Sequence, residues 1–196
     1  MEILDDSYQV DPTEWDIAAE YAFLLATRQY SDSDSLVLAR EKILGLRRKA
    51  GEDVAEVHLS PRGQTASEVL GPHIRGEVEQ LFDLAGLRWQ PKVAGYGALL
   101  ASEADAISDS CVIEIKNVDR LFQPKDVRQV LLYATALNGS GEFVNSFCLI
   151  NPRKGISLKA DLQTACLRMS GQPWISVRAE IEEFLVSLNS WFVNDL

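Results

Sequence analysis

Between Asp11 and Tyr30 the apolar residues Trp15, Ala18, Ala19, Ala22, Phe23 and Ala26 recur every third or fourth position, the period of a helix face. Asp11-Pro12-Thr13-Glu14 supplies the start: a capping acid, proline at the first helical position and an acid at the third. The polar tract Ser31–Ser35 ends this helix. A second amphipathic helix is predicted with Leu36, Ala39, Ile43 and Leu46 inward and its basic residues outward. Residues 50–72, with Gly51, Pro61, Gly63, Gly71 and Pro72, read as loop-rich. The join between an N-terminal helical extension (1–60) and a core with a C-terminal helix (61–196) is placed there.

From His73 the periodicity alternates between helix and strand. Ile74, Glu77, Val78, Leu81 and Ala85 share a helical face, which Gly86 would end. Segment 88–100 predicts one or two strands, with turns at Pro91 and Gly95-Tyr96-Gly97. Asp105–Ile107 and Cys111–Lys116 read as neighbouring strands around a Ser108-Asp109-Ser110 turn. Pro124 opens a helix through Val127, Val130, Leu131, Ala134 and Leu137, closed by Asn138-Gly139. Phe143–Ile150 predicts a further strand, stopped by Asn151-Pro152. Val177, Ile181, Phe184, Leu185, Leu188, Trp191 and Phe192 predict a final amphipathic helix, and Trp89, Trp174 and Trp191 are expected in the core. The order of elements is that of an α/β protein.

At 196 residues the chain suits one domain with an appendage, and its 46% hydrophobic and 24% charged residues are ordinary for a globular protein. No apolar run approaches the ~20 residues of a membrane span, and no signal-peptide pattern opens the chain. Cys111, Cys148 and Cys166 are odd in number, widely spaced and form no CxxC, so reduced thiols in a cytoplasmic protein are expected, with no zinc site. The net charge of −10 predicts weak non-specific binding to DNA. Its distribution is uneven. Residues 1–20 hold seven acids and no base, whereas Arg40, Lys42, Arg47, Arg48 and Lys49 cluster, as do Arg153, Lys154 and Lys159. Phosphate binding depends on such local patches more than on the total. The 40–49 cluster reads more readily as a solvated face than as a DNA clamp.

The chemistry concentrates at Asp105, Glu114, Lys116, Gln129 and Tyr133. Glu114 and Lys116 have the same parity on a strand and point to one face, while Gln129 and Tyr133 lie one helical turn apart. Two carboxylates and an ammonium converging on one face suit a metal-dependent hydrolase. His58 and His73 are the only histidines, so a bound metal would take oxygen ligands, which favours Mg²⁺ or Mn²⁺.

Helix, strand aspartate, Glu114-Ile115-Lys116, helix, strand: this order over residues 73–152 resembles the PD-(D/E)XK nuclease superfamily. Gln129-Val130-Leu131-Leu132-Tyr133 is similar to the QxxxY element of its RecB-like branch. Ala104 stands where the family name has proline. The resemblance implies a restriction-endonuclease-like core, a central mixed sheet flanked by helices, and a Mg²⁺-dependent nuclease acting on DNA in phage defence, mobile-element or repair contexts. It implies Asp105 and Glu114 as metal ligands with the Ile115 carbonyl, and Glu77 as a further ligand from the preceding helix, with Glu79 and Glu68 as competitors. Lys116 would orient the attacking water or stabilise developing charge, and Gln129 and Tyr133 would contact substrate or brace the site. The chain could act as a homodimer or within a larger complex. The rival from another class is a catalytically silent scaffold subunit of the same fold, and a third reading is an α/β interaction domain in which the Glu-x-Lys match is accidental.

Overall fold

The computed structural model describes residues 10–194, with side chains through residue 188. It is an α/β protein with six α-helices and a five-stranded mixed sheet among the described residues. The chain divides into two compact units, one running to Leu81 with Asn117–Asp119 and Pro152–Gly155, the other comprising Phe82–Lys116, Arg120–Asn151 and the chain from Ile156 onward.

In the first unit, a 3-10 turn at Pro12–Glu14 leads into α1 (Trp15–Thr27). The Asp11 carboxylate caps the 3-10 turn, accepting from Thr13 N at 2.8 Å. Helix α2 (Asp32–Lys49) starts at Ser31, whose hydroxyl accepts from Asp34 N. Helix α3 (Pro61–Leu81) packs chiefly against α1. The expected loop over 50–72 is therefore half helix. Its glycines are points of close approach: a Cβ on Gly71 would lie 2.8 Å from Leu25 Cβ and 3.0 Å from the Ala22 carbonyl oxygen. Pro72 sits inside the helix at the cost of one backbone donor. The helix ends at Leu81, short of Gly86, because Asp83 caps a separate 3-10 turn at Leu84–Gly86. Helix α3, grouped with the core by the sequence pattern, belongs here. On α2 the inward residues are Ser35, Ala39 and Ile43, while Leu46 is exposed.

The second unit is built on the sheet order β1-β4-β5-β6-β7 (Leu87–Trp89, Ala106–Ser108, Cys111–Ile115, Ser146–Asn151, Ile156–Asp161). Strands β2 (Lys92–Val93) and β3 (Ser102–Glu103) form a separate ribbon. Only β5 and β6 pair in parallel, joined through α4 (Pro124–Gly139); the other neighbours are antiparallel. The Asp109-Ser110 hairpin places Asp109 at φ 51, in the left-handed region that Asp tolerates. Val112, Phe147 and Leu149 form one core with Val130, Ala134 and Leu137 of α4. Strand β7 and helix α5 (Leu162–Ser170) had no clear signal in the sequence, since β7 alternates weakly and is mostly exposed.

Helix α6 (Trp174–Asn194) packs against α4 and α5. Gly97, at φ +55, brings its loop against α6, where Ala98 N donates to the Leu185 carbonyl at 2.9 Å; a Cβ there would meet the Leu185 backbone at 2.6 Å. Leu185 is buried but Phe184 is exposed, against expectation. Trp174 packs on the core and Trp89 is half-buried, while the Trp191 and Phe192 side chains lie outside the described residues.

Candidate active site

The site grows from the end of β5. Every residue of Cys111–Ile115 is buried, so Glu114 enters the sheet interior, at 5% exposure. Strand parity puts Lys116 on the same side, and its Nζ donates to Glu114 Oε1 at 2.7 Å. From α4, Gln129 closes the cluster. Its Oε1 accepts from Lys116 Nζ at 2.6 Å, and its Nε2 donates to Glu114 Oε1 at 2.7 Å and to Tyr133 Oη at 3.0 Å. The amide orientation follows from chemistry, since an ammonium can only donate and a carboxylate only accept.

Burial pushes the Glu114 carboxyl above its ordinary range, while Lys116 and Gln129 pull it down. Burial also raises the Tyr133 phenol, helped by the charge of Glu114. Asp105, half-buried just before β4, accepts from Ile115 N at 2.6 Å through Oδ2. Asp105, Glu114, Ile115, Lys116, Gln129 and Tyr133 thus stand together in the second unit. Glu77 stands on α3 of the first unit, half-buried, with Oε1 3.5 Å from His73 Nε2; its competitor Glu79 pairs with Arg75 at 2.6 Å, and Glu68 is exposed.

The donors at Asp105, Glu114 and the Ile115 carbonyl are hard oxygens, which suit Mg²⁺ or Mn²⁺. Among the described residues no three His, Cys, Asp or Glu side chains are grouped as a metal site. An ion here would be held by two carboxylates and complete its shell with water, which is common for Mg²⁺.

Three residues beyond the sequence reading support the site. Asp126 accepts from both terminal nitrogens of Arg120, at 2.6 and 2.8 Å, and from Gln123 N at 2.8 Å. The hydrogen bond from Arg120 is the main cause that lowers the Asp126 carboxyl to about 2. Asn151, at the end of β6, donates to the Arg120 carbonyl at 2.9 Å. Together they fasten the segment entering α4, and so the direction in which Gln129 is presented. Asp126 had a readable signal, as the acid in the first turn of a helix opened by Pro124, where its carboxylate accepts from Gln123 N. Arg120 and Asn151 had none.

The basic clusters are largely engaged. Arg47 grips Asp16 and Lys42 reaches Glu20 at 2.7 Å, so α2 answers the acids of α1. Arg153 and Lys154 both pair with Asp119, and Lys159 lies over the Phe82 ring. All three thiols are free and buried, and burial pushes Cys148 up to about 12, so it is inert as a nucleophile.

Compared with protein-family models, curated proteins and solved structures, the chain matches none. Among the described residues no helix is long and apolar enough to cross a membrane.

Proposed function

We propose that the chain is a Mg²⁺- or Mn²⁺-dependent nuclease with a restriction-endonuclease-like core, hydrolysing phosphodiester bonds of DNA. The observation that carries this reading is the buried Glu114–Lys116 pair, bridged by Gln129, on the strand whose last amide is held by Asp105. Burying an ion pair gains little stability over a packed apolar pair, so a chemical role explains it better than a structural one. Asp105 and Glu114 would hold the ion, which would polarise the scissile phosphate and acidify a bound water. Lys116 would then orient that water or stabilise the charge developing on the phosphate. Gln129 holds the ammonium, and Tyr133 holds Gln129.

A second reading, a catalytically silent scaffold subunit, is favoured by one detail. Glu114 Oε1 already accepts from both Lys116 and Gln129, so the network closes on itself. Cleavage of plasmid, linear duplex, single-stranded DNA and RNA with Mg²⁺ or Mn²⁺ separates the two, with Lys116→Ala as control. Metal-dependent cleavage lost in the variant supports the nuclease. Equal activity of both proteins marks a contaminant and removes the claim. No cleavage of any substrate favours the scaffold.

A further inference from the structure

A pocket of about 370 Å³ lies within the first unit, lined by Val10, Pro12, Trp15, Val118, Asp119 and Arg153. It uses the two short segments that follow the parallel strands: Asn117–Asp119 leaves the chain directly after Lys116, and Pro152–Gly155 follows β6. Trp15 is fixed at its edge, since Nε1 donates to the Asn117 carbonyl at 3.2 Å. The Arg153 guanidinium lies 4.0 Å from the centre of the Trp15 ring. Arg153 and the neighbouring Lys154 both pair with Asp119, the former at 3.4 Å. That carboxylate is more than half exposed. The two cations, as expected, hold it below the ordinary carboxylate range.

Three features of this arrangement point to one class of ligand. A guanidinium stacked on an indole is a planar cationic shelf of the kind on which unpaired bases stack. Two adjacent cations converge on one oxyanion, which is how a phosphate is held. The apolar side chains of Val10, Pro12 and Val118 suit the edge of a ring. Asn117 adds a fourth observation: the residue is only 9% exposed, yet neither Nδ2 nor Oδ1 of its buried side-chain amide has a hydrogen-bond partner among the described residues. The polar demand of Asn117 is not met among the described residues.

We propose that the Trp15–Arg153 pocket, with Lys154 reaching it through Asp119, is a subsite for one nucleotide of an unpaired strand. The base stacks on the Trp15–Arg153 pair, and the phosphate takes the place of the Asp119 carboxylate between Arg153 and Lys154. Asp119 is then an internal competitor, an exposed and weakly held anion that a phosphate displaces. This inference rests on the nucleic-acid part of the proposed function and not on hydrolysis.

The probe is a fluorescein-labelled 12-mer of thymidylate, measured by anisotropy in EDTA with the full chain, alongside a 12-base-pair duplex. Asp119→Asn should tighten binding of the single strand about threefold or more, since it removes the competing anion and keeps the side chain's size. Arg153→Ala should weaken it about tenfold and flatten its salt dependence, as loss of a stacked phosphate contact requires. Arg153→Lys, which keeps charge without a plane, should fall between. A gain of affinity cannot come from misfolding, so Asp119→Asn remains decisive if Arg153→Ala folds poorly. Unchanged or weakened binding in Asp119→Asn overturns the subsite, as does a duplex bound as tightly as the single strand. Cleavage abolished by Lys116→Ala together with unchanged single-strand affinity in Asp119→Asn overturns the subsite alone. The expected affinity changes without any cleavage overturn only the hydrolytic reading.

Discussion

Lys116→Met isolates the cost of keeping Glu114 inside the protein. Its apolar side chain fills the volume of the lysine stem but leaves a carboxylate whose side chain is 7% exposed. Removing one partner of a buried ion pair costs ~3–5 kcal/mol when the remaining charge has no compensation. Here Gln129 Nε2 still donates to Glu114 Oε1, and Lys116 is itself 16% exposed, so the expected loss is ~2–3 kcal/mol. For a chain of this size that lowers the melting temperature by about 5–10 °C.

The loss grows as pH rises. Burial already raises the Glu114 carboxyl, and without Lys116 it rises further. A carboxyl raised in the folded state contributes stability that is complete below the unfolded value of about 4.3 and is lost as pH climbs through the folded value. Lys116→Met should therefore be most destabilised at pH 8 and recover as pH falls toward 5. The double variant Glu114→Gln/Lys116→Met should be more stable at pH 8 than Lys116→Met, because no charge is left buried. Equilibrium urea denaturation followed by far-UV circular dichroism at both pH values reads this directly. A Lys116→Met protein within about 0.5 kcal/mol of wild type at pH 8, with no recovery in acid, would refute the account of a costly buried pair.

Asp126 should titrate in the opposite sense: its folded value of about 2 lies below the unfolded one, so its contribution is present above about pH 4 and disappears as pH falls toward 2. That contribution is ~2 kcal/mol, and acid unfolding of Asp126→Asn should be correspondingly flatter over this window. Gly71→Ala should destabilise by ~1–3 kcal/mol, measured as a lower urea midpoint, because the new methyl meets the Ala22 carbonyl and Leu25 of α1. Mg²⁺ or Mn²⁺ at 100 times its dissociation constant should stabilise the wild type by ~2.7 kcal/mol, and thermal melts of Asp105→Asn should show no such gain.

The parts of the fold that were legible obey one local rule each. Glu114 and Lys116 meet because strand parity puts them on one face, and Gln129 and Tyr133 meet because they are one helical turn apart. The Asp109-Ser110 hairpin was readable from its turn residues. What escaped was set by tertiary contact. Gly63, Gly71 and Pro72 signal a loop by propensity, yet two of them are glycines on a helix face that approaches its neighbours closely, and packing outweighs a penalty of ~1 kcal/mol per glycine. Phe184 carries the helical period but faces outward beside buried Leu185. Strand β7 pairs along its whole length with β6, but its exposed residues leave little apolar alternation to read. Asp119 lies far along the chain from the cations it pairs with, so the 153–159 cluster looked unopposed.

Asp105 shows how a side chain can stand in for a strand. The β4–β5 ladder ends at the pair Ala106–Ile113, so Glu114 and Ile115 run past the last residue of their neighbour. The Ile115 amide would lose its partner at that edge, and the Asp105 carboxylate supplies one at 2.6 Å. The same contact holds the carboxylate close to the backbone of the Glu-x-Lys element, where the proposed ion would sit. An acceptor alone satisfies the amide, so asparagine can preserve the ladder edge while removing the charge. Asp105→Leu removes both and should lose ~1–3 kcal/mol for the orphaned amide. A fold that survives Asp105→Asn but weakens in Asp105→Leu would assign the hydrogen bond to structure and leave the charge to chemistry. Equal stability of the two variants would show that the Ile115 amide does not depend on Asp105.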